Sequence, residues 1–167
     1  LSARGITSGT TTNTFSPSQQ LTRAQFLVLA MNGYQITPSI LSEDNRAENF
    51  ADAGNRYYSA YLLKAKEIEL TQGIGNNLFA PDKPITRQEM FVLLYNILEQ
   101  LEEMPILKDS NNKMEFQDES SLSAWAKEPV LHLYQSGIIE GSNNLLNPKG
   151  TATRAEMAQI LYNLLTE

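Results

Sequence analysis

The sequence predicts an all-α fold made of three helix-loop-helix repeats. Three observations predict it. First, one short frame returns three times: Phe15, Pro17 and Thr22-Arg23-Ala24-Gln25, then Phe79, Pro81 and Thr86-Arg87-Gln88-Glu89, then Leu146, Pro148 and Thr153-Arg154-Ala155-Glu156. In every copy the Thr lies seven residues after the Phe or Leu, and the copies are 64 and 67 residues apart. Second, each Thr is followed by an apolar stripe at helical spacing. Third, the later two copies are preceded by a further amphipathic segment and a glycine-rich turn.

Taken in order, residues 1–20 are rich in Ser, Thr and Gln and read as loop, with Gly9 six residues before Phe15 as Gly73 is before Phe79. Within these residues nothing precedes the loop as a first helix, so the first repeat, 1–36, is expected to lack it or to be completed by chain not included here. From Thr22, the residues Phe26, Leu27, Leu29, Ala30 and Met31 predict a helix stopping near Gly33. Residues 37–49 are a linker containing Pro38, with Ile40 and Leu41 added to the core.

Phe50-Ala51-Asp52 opens the second repeat, 50–104, and Tyr57, Tyr61, Leu62, Ala65 and Ile68 predict a helix between Tyr57 and Leu70. After the turn Gly73 to Phe79, the helix from Thr86 places Met90, Leu93, Leu94, Ile97, Leu98 and Leu101 on its core face. A second linker, 105–115, leads to the third repeat, 116–167. There Phe116-Gln117-Asp118 matches Phe50-Ala51-Asp52, and Trp125 falls where Tyr57 does. A helix is expected from Ala124 to Ser136, with Pro129 cheap if it lies in the first turn and kinking if deeper. The last helix, from Thr153, buries Met157, Ile160, Leu161, Leu164 and Leu165.

Thr86 with Glu89 and Thr153 with Glu156 are capping boxes, and Thr22 with Gln25 is the neutral form. Arg23, Arg87 and Arg154 take no part in the box and fall at the first helical position, where the macrodipole disfavours a cation by roughly 0.3–1 kcal/mol. A cation repeated there points either to an anion site, with helix amides and guanidinium converging on a carboxylate or phosphate, or to a solvated Arg or one paired with an Asp of a neighbouring repeat.

Composition excludes several classes. The 167 residues contain no Cys, which rules out a disulfide scaffold, thiol catalysis and a Cys-based zinc site. A net charge of −6 argues against a nucleic-acid partner but not against one small anion held locally. No apolar run approaches the ~20 residues of a membrane span, so no membrane insertion is expected. Leu1 does not begin a signal peptide, and any targeting segment is expected to have been removed or left out. No pair of carboxylates suggests glycosidase chemistry, and the sole His132 reads as a packed or surface residue. No metal or cofactor is implied.

The order Phe-x-Asp, Trp-Ala, Gly-Ile-Ile-x-Gly, Phe-x-Pro and Thr-Arg-Ala-Glu resembles the S-layer homology domain. Phe116, Asp118, Trp125, Ala126, Gly137, Ile138, Ile139, Gly141, Leu146, Pro148, Thr153, Arg154, Ala155 and Glu156 carry it in the third repeat. Phe50, Asp52, Tyr57, Gly73, Phe79, Pro81, Thr86, Arg87 and Glu89 carry it in the second. The resemblance implies pseudo-threefold packing around a central helical bundle. It also implies a non-catalytic anchor for exported proteins, at the bacterial cell wall or S-layer, on secondary cell-wall polysaccharide. The ligand group would be a ketal pyruvate on a terminal N-acetylmannosamine, lying between adjacent repeats against Arg23, Arg87 and Arg154.

The resemblance offers Asp52 and Asp118 to sugar hydroxyls, although such an Asp equally holds a loop or caps a helix. Trp125 and Tyr57 are offered to a sugar face, although rings of this size ordinarily serve burial. Gly75 and Gly141 would let a ligand approach the backbone, or simply make the turn. Departures from the pattern are the missing first helix, Gln25 for the acidic residue, Tyr57-Tyr58 for Trp-Ala and Leu146 for Phe; they rank the Arg87 and Arg154 sites above Arg23. The rival reading is a helical protein-interaction or self-associating module in which the arginines pair between repeats.

Overall fold

A computed structural model of the chain describes residues 16–109 and 113–166; Gly9 and Phe15 lie outside them, as does the side chain of Leu165. The helices are α1 (Arg23–Gly33), α2 (Ser59–Glu67), α3 (Arg87–Gln100), α4 (Lys127–Gln135) and α5 (Arg154–Thr166), with single 3-10 turns at Arg46–Glu48, Glu119–Ser121 and Ala124–Ala126. The fold is all-α as the repeats predict. Among the described residues, β pairing is confined to isolated bridges.

Three of those bridges join the repeats into a ring. The amide of Leu21 donates to the carbonyl of Ala152 (3.1 Å), that of Ile85 to Leu21 (2.9 Å) and that of Ala152 to Ile85 (2.9 Å). All three side chains are fully buried. The extended pieces before α1, α3 and α5 thus meet at one centre, from which the three helices depart, and α1 packs on both α3 and α5. The first helix of a repeat does not pack chiefly on its own second helix: α2 lies on α1 and α4 on α3. The repeats therefore interlock, each completing the one before it, and the core is continuous through Phe26, Met31, Leu62, Phe91, Leu94 and Met157.

Helix starts follow the local rule. Thr22, Thr86 and Thr153 accept from the third helical amide, while Gln25, Glu89 and Glu156 return to the Thr amide. Pro129 is the third residue of α4, inside the first turn, so it removes no intrahelical bond. α1 ends at Gly33 as expected and Gly137 closes α4, but glycine does not make the other stops. All of α1 to α4 close with paired back-bonds to a left-handed residue, and that residue is Gln35, Glu69 or Glu102 in three of them and Gly137 only in α4.

Three expectations are corrected. The helix expected from Tyr57 begins at Ser59, because the buried Ser59 hydroxyl bonds the carbonyls of Ala53 and Gly54 and accepts from the Arg56 amide, holding 53–58 as a turn. The helix expected from Ala124 starts as a 3-10 turn and becomes α-helical at Lys127. Ile40 is 89% exposed and adds nothing to the core, since its linker is tied down through Asn45 Nδ2 on the Ile40 carbonyl rather than by burial.

Tyr34, at the end of α1, has its hydroxyl buried without a hydrogen-bond partner. Burial, and then Glu103, push its phenol up to about 12 from an ordinary 10.0. Because the native state keeps the proton longer than the unfolded chain, stability should be unaffected below pH 10 and fall as pH rises from about 10 towards 12. Tyr34→Phe should remove that alkaline loss and raise stability at neutral pH by about 1 kcal/mol, since an unsatisfied hydroxyl costs ~1–3 kcal/mol. Urea melts at pH 7 and pH 11 check both.

Candidate functional site: grooves between repeats

The helix N-termini do not offer their amides to a ligand. The first and second amides of α1 donate to Lys83 and Pro81, those of α3 to Gly150 and Pro148, and those of α5 to Gln19 and Pro17. The third is held by the capping Thr. The expected cradle of helix amides is therefore already filled by the neighbouring repeat, in a closed cycle.

The arginines are turned to the same neighbour. Arg23 Nη1 pairs with Glu89 at 2.9 Å, its Nε donates to the Phe79 carbonyl at 2.8 Å, and its guanidinium lies 4.7 Å from the Phe79 ring centre. Arg87 repeats this with Glu156 and the Leu146 carbonyl (2.8 Å), over the Phe91 ring. The partner is a Glu rather than the Asp expected. Each Glu serves twice, closing its own helix cap through Oε2 and holding the preceding repeat's Arg through Oε1. Burial pushes the Arg23 guanidinium below its ordinary value, with Glu89 and then Asp52 pulling back. The equivalent position in α1 is Gln25, whose amide oxygen closes the Thr22 cap without charge. Arg154 is likewise buried.

Beside each described pair lies a groove. That of Arg23 has a volume of about 660 Å³ and is lined by Lys83, Glu89, Val92, Asn96 and Trp125 among others. That of Arg87 is about 370 Å³ and is lined by Glu140, Glu156, Gln159 and Asn163 among others. The order anticipated from sequence, Arg87 above Arg23, does not follow groove size. Arg23 Nε and Nη1 are both engaged within the protein.

Trp125 and Tyr57 are not buried, at 55% and 64% exposure; Ala126 and Tyr58, one residue on, take the buried places instead. Trp125 walls the Arg23 groove. It is carried there by Ser123, whose amide donates to Gln88 Oε1 while Gln88 Nε2 donates back to Ser123 Oγ. Tyr57 lies edge-on to Tyr58, whose hydroxyl faces Asp82. Asp52 accepts the amides of Phe79 and Ala80, and Asp118 those of Leu146 and Asn147, so both hold the turn of their own repeat. They line neither groove.

Gly75 borders open space, whereas a side chain on Gly141 would strike the Phe116 ring at 2.2 Å. Neither lines a groove; the glycine that does is Gly73, the positional counterpart of Gly141, where an added Cβ would lie 2.1 Å from the Leu78 carbonyl. His132 sits against the Pro105 carbonyl and the Tyr95 ring, a packing role.

The residues missed from sequence are Lys83, Gln88 and an Asn in each final helix. Asn32, Asn96 and Asn163 each stand ten residues after the capping Thr. Asn96 and Asn163 donate to the Leu70 and Ile138 carbonyls, tying the turn of their own repeat to the helix, and Asn32 accepts from the Tyr61 hydroxyl. The recurrence at a fixed offset was the available signal.

Interlocked helical repeats joined at a central ring, with a charged groove beside the Arg23–Glu89 and Arg87–Glu156 pairs, define a tandem-repeat module. The chain belongs to the S-layer homology domain family, whose model matches residues 1–27, 49–91 and 115–158. Domains of this family are cell-wall anchoring modules. The chain is 34% identical to the exoglucanase XynX of Acetivibrio thermocellus and 32% identical to an amylopullulanase of Thermoanaerobacterium thermosulfurigenes, each over 99% of its own length. It is 29% identical, over 95% of its length, to the S-layer protein sap of Bacillus anthracis. It spans only 15%, 8% and 18% of these relatives. Among the described residues no helix is long and apolar enough to cross a membrane.

Proposed function

We propose that this chain is a non-catalytic module that holds a cell-surface protein on secondary cell-wall polysaccharide, by binding a pyruvylated terminal sugar in the grooves between its repeats. The units are 1–36, 50–104 and 116–167, joined by the linkers 37–49 and 105–115. The observation that carries the reading is the Arg23 groove, where a guanidinium, a second cation and an exposed indole line one cavity with room for a sugar. An anion and a ring face are what a ketal pyruvate on a hexosamine presents. Relatives that include an S-layer protein and polysaccharide-degrading enzymes fit one anchor carried by different passengers.

The test is co-sedimentation of the protein with Gram-positive sacculi, before and after mild acid removes ketal pyruvate. Binding is expected only before removal. A second reading is favoured by the Arg23–Glu89 and Arg87–Glu156 pairs, which already engage the arginines between repeats: a helical protein-interaction or self-associating module with degenerate glycan sites. Failure to sediment with either preparation would support it.

A further inference from the structure

The two described grooves occupy equivalent places in the repeat, yet they carry opposite charge. The Arg23 groove holds two cations, Arg23 and Lys83, against the single carboxylate of Glu89. The Arg87 groove holds one cation, Arg87, against the carboxylates of Glu140 and Glu156. Two sequence differences produce the reversal. The position of Lys83, whose carbonyl accepts the first amide of α1, is filled in the next junction by Gly150, whose carbonyl accepts the first amide of α3. The position of Gln72, just before Gly73, is filled by Glu140, just before Gly141.

In both grooves the inner Arg and Glu are paired, so the sign a ligand meets is set by what stands beyond that pair: Lys83 in one, Glu140 in the other. Both flanking groups are exposed. Each acts over about one screening length, roughly 8 Å at physiological salt, and so acts on a ligand held in the groove that it lines.

We propose that the carboxylate-bearing sugar is selected by the Arg23 groove, with Lys83 as its second cation, and is rejected by the Arg87 groove. The inference rests on the anchor reading and narrows it, from both described grooves to the Arg23 groove alone. The Arg87 groove, with Glu140 at its mouth, admits neutral sugars only. Trp125, the sole Trp of the chain, walls the groove that takes the anion and so reports its occupancy directly.

The experiment titrates the protein with the methyl glycoside of pyruvylated N-acetylmannosamine and with its pyruvate-free counterpart. Calorimetry records total binding and Trp125 fluorescence records the Arg23 groove. Expected is a saturable fluorescence change with the pyruvylated glycoside alone. Lys83→Glu should weaken that response about tenfold or more, as a reversed charge beside a bound anion does. Glu140→Gln should leave it unchanged, and neither variant should move Tm, because both side chains are exposed.

Calorimetric binding of the pyruvylated glycoside that is silent at Trp125 and unaltered by Lys83→Glu would overturn the assignment while leaving the anchor reading standing. No calorimetric binding of either glycoside would overturn both.

Discussion

Arg23→Ala is expected to lower Tm by roughly 10 °C, from a loss of about 3–5 kcal/mol at about 2–4 °C per kcal/mol for a chain of this size. The Arg23 side chain is 4% exposed and its Glu89 partner 17%. Truncation leaves a largely buried carboxylate without its counter-charge, an unmet Phe79 carbonyl and a vacated face of the Phe79 ring. Glu89→Gln separates these effects, because Gln25 already shows in α1 that an amide oxygen closes this capping box. Glu89→Gln should keep the start of α3 but set an amide N–H against the buried Arg23 guanidinium, so its Tm should also fall, by less than in Arg23→Ala because Arg23 keeps the Phe79 carbonyl and ring. The double variant should be less destabilised than the sum of the singles, since it leaves no unpaired carboxylate. Thermal melts of the four proteins give the coupling directly; strict additivity would show that the pair contributes nothing. The same arithmetic bears on wall binding, because an arginine variant that fails to bind has also lost part of the joint between repeats. Lys83 is the cleaner probe.

The repeats were legible because they are local. A capping Thr three residues before Glu or Gln, an apolar stripe at helical spacing and a Pro in the lead-in each depend on residues a few positions apart, and each appears in the structure where the sequence put it. What joins the repeats was not legible. Glu89 gives no sign in its own neighbourhood that it holds Arg23, because its capping role already accounts for it. The unfavourable placement of a cation at the first helical position was a true signal, but it has a protein partner in Arg23 and Arg87, and the adjoining amides are spent on the carbonyls of the next repeat.

The ends of α1 and α4 fall where their glycines put them, but the residue that makes most of the stops was not legible, for a related reason. Gln35, Glu69 and Glu102 adopt the left-handed conformation that glycine would take at less cost, so the stop is written in tertiary packing rather than in residue type. Trp125 and Tyr57 broke the rule that large rings are buried, because the turn before each first helix turns the following residue, Ala126 or Tyr58, into the core. That exchange of one position moves an indole from the core to the wall of a groove.

Phe79→Ala is expected to cost about 3–5 kcal/mol, the range for deleting a fully buried ring. More than packing is at stake. The ring lies tilted against Phe50, with centres 5.5 Å apart, and underlies the Arg23 guanidinium, while the backbone of the same residue accepts from Arg23 and donates to Asp52. One residue thus ties the turn, the Phe-x-Asp segment and the neighbouring repeat's arginine together. Urea melts should show a lower midpoint at unchanged slope, and the Trp125 response to the pyruvylated glycoside should weaken as Arg23 loses its support. Phe79→Leu should cost less than Phe79→Ala, because it keeps most of the buried apolar volume, although it removes the aromatic face under Arg23. The chain itself performs that exchange in its third repeat. Leu146 keeps the carbonyl that accepts Arg87 and the amide that meets Asp118, and Arg87 finds its aromatic face on Phe91 of its own helix instead. In α1 the position of Phe91 is Leu27, so Arg23 has no aromatic substitute on its own helix and the two junctions differ in how they hold their arginine as well as in charge; a Phe79→Leu loss far below that of Phe79→Ala would show that the ring face contributes little beside the packing.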